Sequence, residues 1–293
     1  PWDPQIFVDL HTTNGTWHAY PLTWAPSFQS VGEKALFNYS YYKMLPTITK
    51  AVHEKYDLQF APYGDYSLEE GWPPKNFYAY NHHPRYLVNQ FGFRNRMAIL
   101  SEAFAHNRFY ERINSTLVFI TEILEYSNSH ASEIIDMNKK AESESINNVL
   151  THYGEATKGV QFKMTPLHKL NNFITYDYIT TTDSAENKIY YRTGKIVRYD
   201  SIDYHAKFEA ILESTLPRGY IVPASFTEVV ENLKMHGIQV SRLSKNQTFL
   251  GETFLVDSLV NSKYEFQKHK SASLYGHFKS DSKKCLKGDY LVD

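Results

Sequence analysis

The sequence predicts an α/β fold, a mixed doubly wound sheet, followed by a β-rich α+β second domain. Three observations carry this. Ile6–Val8 and Met97–Leu100 are unbroken apolar runs, the pattern of strands covered on both faces rather than one. Residues between and after them recur at helical spacing. From Gly159 onward the pattern changes to alternation, clearest in Asn171–Thr182 and Asn187–Ser201, which read as antiparallel strands.

Taken in order, the first strand runs into Asp9-Leu10-His11 and then Thr12, Thr13, Asn14 and Gly15, small polar residues suited to a turn. From Ser30 to about Tyr56, Val31, Leu36, Tyr41, Leu45, Ile48 and Val52 mark a helix that Pro46 should kink or divide. A Pro-, Gly- and aromatic-rich loop covers Ala61 to Tyr86, a length usually reserved for functional or mobile segments. The second buried strand, "MAILSEAF", spans Met97 to Phe104. A helix is expected from Asn114 to about Lys140, with Asn114 or Ser115 as its N-cap. The polar stretch Lys139 to Asn148 is the expected domain boundary, giving domains 1–145 and 146–293. In the second, "NNFITYDYITTT" and "NKIYYRTGKIVRYDS" are strands. "PRGYIVPASFTEVVENLKMHGIQVSRL" gives strand, helix, strand, with Ser225 and Glu228 as a capping box and Gly237 as the helix stop. Further strands fill Glu252 to Asp293. Both ends read as cuts in a longer protein.

A formal net charge of -1 offers no global field for nucleic acid or an anionic membrane. A mean hydropathy of -0.48, with no apolar run near the length of a bilayer span, gives no membrane-crossing helix. The single cysteine, Cys285, excludes an internal disulfide and a Cys-based zinc site, leaving His, Asp and Glu as metal ligands.

Two strand ends carry ionisable groups, Asp9-Leu10-His11 and Leu100-Ser101-Glu102. Ligands collect beyond the carboxyl ends of strands in open α/β sheets, and a Glu closing a buried strand calls for a cation, a metal or a catalytic pocket. A His at such a position is also compatible with a hydrogen-bonded structural role.

The pair "DLHTTNG" and "FRNRMAILSEAF" resembles the second half of the zinc metallocarboxypeptidase family, the carboxypeptidase A-like fold, in a larger bacterial-type member. "PRGYIVPASFTEVVENLKMHGI" resembles the extra domain such members carry. The resemblance implies a sheet of the zinc-carboxypeptidase type, present here in part, with His11 as the third ligand of one Zn2+ ion and Glu102 as the general base. The family's His-x-x-Glu pair and its carboxylate-binding Arg are expected upstream. It further implies a peptide substrate and, by analogy, a periplasmic or secreted location. The family's mobile Tyr lies in the loop before the catalytic Glu, where this chain has Tyr78, Tyr80 and Tyr86. Tyr80 is preferred for its distance ahead of Glu102. Arg85, beside Tyr86, and Arg94 are candidate substrate-binding residues. Arg94 and Arg96 flank the strand and bind a carboxylate, neutralise Glu102 or are solvated strand ends. Trp17 and His18 are candidates for the pocket rim.

The function implied is a metallopeptidase hydrolysing peptides from the carboxyl end with metal-activated water. A zinc amidase or deacylase on the same fold, and a catalytically decayed carboxypeptidase-like binding protein, are the alternatives. A serine hydrolase finds no Gly-x-Ser-x-Gly elbow.

Overall fold

The computed structural model describes residues 2–152 and 154–292. It is a mixed α/β structure whose contacts divide it into two compact units, Trp2–Leu216 and Pro217–Asp293.

The first unit is built on a four-stranded sheet of β1 (Ile6–Thr12), β2 (Leu22–Pro26), β3 (Phe60–Pro62) and β5 (Met97–Ala103), in the order β1-β5-β2-β3. β1 and β5 are parallel, β2 runs against β5, and β3 is parallel to β2. All seven residues of β5 are buried, which is why Met97–Leu100 is an unbroken apolar run. Among the helices, α2 (Leu45–Tyr56) packs on α4 (Phe109–Ser129), and α3 (Leu87–Phe93) packs on β1 and β5, where Phe7 stacks on Phe91 at 4.1 Å.

The kink expected at Pro46 is a wide turn. α1 (Lys34–Tyr39) passes into α2 through a π-helical segment, Ser40–Met44, in which the Leu45 N–H reaches back to the Ser40 carbonyl. Proline has no N–H to bond the preceding turn, and the extra residue absorbs the gap. The long helix expected from Asn114 is two helices, α4 and α5 (Ala131–Thr151), separated at His130, whose ring stacks on Tyr126 at 4.0 Å. α4 starts earlier than Asn114 or Ser115, after Arg108, whose backbone N–H donates to the Glu111 carboxylate at 2.9 Å.

The expected boundary at 145/146 falls inside α5. The polar stretch there is a solvated helix face, with Lys140 and Glu144 paired one turn apart at 3.7 Å, while Ile134, Asn138 and Ala141 face inward. The strands that follow belong to the first unit. β4 (Asn76–Tyr78), inside the long loop, pairs in parallel with β9 (Ile202–Thr215), which pairs antiparallel with β6 (Thr157–Leu170). β7 (Phe173–Thr182) and β8 (Lys188–Tyr199) form the expected hairpin, held by the Trp72 indole donating to Asp177 at 3.0 Å.

In the second unit, β10 (Tyr220–Val222), β11 (Val240–Arg242) and β14 (Tyr290–Val292) form a small antiparallel sheet. α6 (Thr227–Met235) starts after Phe226 without a side-chain cap, so Ser225 and Glu228 do not act as a capping box; the Val230 N–H bonds the Phe226 carbonyl directly. Gly237, at φ +75°, stops the helix as expected. β12 (Gln247–Asn261) and β13 (Ala272–Cys285) form a long two-stranded ribbon.

Candidate active site

The parallel register of β1 and β5 sets His11 opposite Glu102 and Asp9 opposite Leu100. Paired residues in a sheet share a face, so all four side chains point the same way. They line a cleft of about 310 Å³ closed by Tyr63, Tyr80, Arg85, Tyr86, Leu87 and Val88. Five of the residues singled out in the sequence, His11, Tyr80, Arg85, Tyr86 and Glu102, therefore meet at one place.

Glu102 is 8% exposed, and its Oε2 is buried with no hydrogen-bond partner among the described residues. Burial, followed by the nearby charge of Asp9, pushes its carboxyl up to about 8. It therefore holds or releases a proton near neutral pH, the condition for general acid–base work. His11 is half exposed and its Nε2 lies 3.1 Å from Asp9 Oδ1, with the Asp9 carboxylate mostly covered. That contact orients the ring and leaves Nδ1 as its other coordinating atom.

Tyr80 is part of the wall. Its hydroxyl donates to the Pro26 carbonyl at 3.0 Å, its ring packs on Phe28, Tyr63 and Tyr86, and burial raises its pKa well above the usual phenol value. Tyr86 stands at the rim, 41% exposed, with the Arg85 guanidinium 5.6 Å from its ring centre. The Asn81–Tyr86 loop is held by Asn89, fully buried on α3. Its carbonyl oxygen accepts from the Phe28 N–H at 2.8 Å, and its amide donates to the Asn81 and His83 carbonyls. Gln29 adds a bond to the His82 carbonyl at 3.2 Å.

Arg94 is not among the cleft residues. It caps the end of α3 before β5 begins, and Arg96 pairs with Asp3 and Glu142. Glu102 is near the other end of β5, and at ~3.3 Å per residue the strand separates them by roughly 20 Å, too far to neutralise a carboxylate. Trp17 and His18 are also absent from the lining. His18 is fully buried in an isolated bridge with Thr175; its Nδ1 accepts from the Tyr20 N–H and burial lowers its pKa to about 4. Trp17 carries His106 stacked at 3.5 Å and Arg192 at 3.4 Å. Tyr63 and Asn89 escaped the sequence analysis. Tyr63 follows the three-residue β3, and Asn89 is a polar residue inside a helix, a position that signals a buried hydrogen-bonding role only once its neighbours are known.

A catalytic zinc site takes three protein ligands. Among the described residues no group of three or more His, Cys, Asp or Glu side chains converges to hold a metal. Among the described residues His11 is the only imidazole lining the cleft. The described residues lining the cleft do not make such a site by themselves.

Comparison with protein-family models, with curated proteins and with solved structures returned no significant match. No described helix is long and apolar enough to cross a membrane.

Proposed function

We propose that the cleft is the substrate-facing half of a metallopeptidase site that hydrolyses peptides from the carboxyl end. One observation carries this: the β1–β5 register sets a carboxylate-oriented histidine beside a buried, unpartnered glutamate at the ends of two adjacent parallel strands. In this proposal Glu102 accepts a proton from the attacking water and delivers it to the leaving amine. Arg85 at the rim pairs with the substrate's terminal carboxylate, and Tyr63, Tyr86 and Leu100 receive its side chain. His11 would be one ligand of a zinc ion whose other ligands are not among the described cleft residues, and such an ion would supply the acidity of the water.

The test is hydrolysis of peptides with free or amidated carboxyl ends, by protein carrying the complete metal site, with and without a chelator. Sequential release from free-acid peptides only, lost on chelation and reduced ~10²–10⁴-fold by Glu102→Gln, is the expected result. Activity indifferent to the chelator, or to Glu102→Gln, overturns the proposal. Cleavage of N-acyl amino acids instead favours the amidase, and peptide binding without turnover the decayed scaffold.

A further inference from the structure

The β12–β13 ribbon has a face and a tip that call for a surface to rest on. Its register puts Phe254, Val256 and Leu259 of β12 on the same face as Leu274 and Phe278 of β13. Val256, Leu259, Leu274 and Phe278 are each more than half exposed. A two-stranded ribbon is marginal unless one face is covered, and a contiguous exposed apolar stripe marks a contact site.

The stripe leads to the tip, residues 262–271. There Tyr264 is 76% exposed and Phe266 55% exposed. The turn is tight: Phe266 and His269 bridge one another, and Gln267 and Lys268 both sit at positive φ. At its base Ser262 bonds across to Ser271, so the loop is a defined shape. The tip carries Lys263, Lys268 and Lys270 in sequence beside the two aromatics, against a single acid, Glu265, and the Lys263 ammonium lies 5.4 Å from the Tyr264 ring centre. In a chain whose total charge is -1, this end is locally cationic.

We propose that the tip of this hairpin docks on an anionic lipid surface. Tyr and Phe seat at the boundary between headgroups and acyl chains, where an amphipathic ring has one wet and one apolar side. The three ammonium groups meet the negative headgroups, and the apolar stripe directly behind the tip continues the buried contact. The occupant follows from charge complementarity: cations clustered around exposed aromatics match a surface that is anionic outside and apolar beneath.

Co-sedimentation of the 293-residue chain with vesicles tests it, using phosphatidylcholine alone or phosphatidylcholine with about a third phosphatidylglycerol, at low and near-physiological salt. Binding to the anionic vesicles only, weakened by salt, is the expected result. The K263E/K268E/K270E triple variant should lower partitioning by roughly a hundredfold or more, at about fivefold per lysine removed. Tyr264→Ser with Phe266→Ser should weaken binding at unchanged circular dichroism. In Tyr264→Trp, the indole emission should shift to the blue on adding anionic vesicles. Absence of binding to anionic vesicles, or binding untouched by both sets of variants, overturns the proposal. So does a concentration-dependent dimer abolished by the same variants, which assigns the tip to a second copy of the chain.

Discussion

Glu102 should make the first unit less stable as pH rises, and Glu102→Gln should remove that dependence. The carboxyl is 8% exposed, has an oxygen without a partner, and titrates at about 8 instead of 4.5. A carboxyl whose folded pKa is raised favours folding in its protonated form. Its contribution is fully present below pH 4.5, is lost progressively above that value, and is gone once pH passes about 8. At 1.36 kcal/mol per pH unit, the displacement is worth up to about 5 kcal/mol between those limits. For a unit of this size that corresponds to a difference in Tm on the order of 10–20 °C. Gln has nearly the shape of the protonated acid and nothing to titrate. Wild type and Glu102→Gln should therefore be equally stable near pH 4, and the variant should be the more stable by several kcal/mol at pH 8 to 9. Urea denaturation of both proteins across that range measures the difference, and infrared absorption of the protonated carboxyl, lost in the variant, follows the titration directly. Stability curves that stay parallel, or a Glu102 already ionised at pH 6, would refute the reasoning.

Other perturbations follow from the same packing. His18, fully buried with its pKa near 4, should destabilise the protein as pH falls from 6.5 towards 4 by up to about 3 kcal/mol, because only the unfolded chain gains the proton; His18→Asn should flatten that limb of the pH–stability curve. Lys55 donates to the buried Glu122 at 2.8 Å, so Lys55→Met should lower the urea midpoint by leaving that carboxylate unpaired, and Lys55→Met with Glu122→Leu should recover much of the loss. Asn89→Ala strips the Phe28 N–H and the Asn81 and His83 carbonyls of their partner; a loss of about 3 kcal/mol is expected, with faster hydrogen exchange confined to residues 81–86.

What was legible in the sequence was what a short stretch of chain decides alone. β5 is buried on both faces, so Met97–Leu100 had to be apolar without interruption, and the glutamate that follows that run stood out for the same reason. His11 was visible because the polar turn after β1 is abrupt. Arg94 was misjudged because nearness in sequence to β5 is nearness to the wrong end of it. The separation of α4 from α5 at His130 leaves little trace, since the residues on either side keep a helical period. The polar stretch after Lys139 resembled a linker because a solvated helix face and a linker share a composition; only the buried Ile134 and Ala141 beneath it tell them apart.

Least legible was the way the later strands join the cleft's half of the chain. Three residues of the long loop, Asn76–Tyr78, take a place beside β9, and no local pattern marks a strand so short. Yet that pairing has a consequence for the site. The loop leaving β4 runs through Tyr80 and His82 to Arg85 and Tyr86, and the His82 ring packs on Phe162 of β6 and Phe208 of β9 at 4.5 and 4.8 Å. One end of the cleft-lining segment is thus held by strands that come more than 70 residues later, and the other by Asn89 on α3. The β6–β9 ribbon is for this reason a support of the cleft, and substitutions at Phe162 or Phe208 should reach Arg85 and Tyr86 through His82. Phe208→Ala, which removes an aromatic face from that ring, should loosen the 81–86 loop in hydrogen exchange while leaving β1 and β5 protected. Loosening of the whole sheet together with the loop would instead mean that the ribbon supports the fold at large and has no particular hold on the cleft.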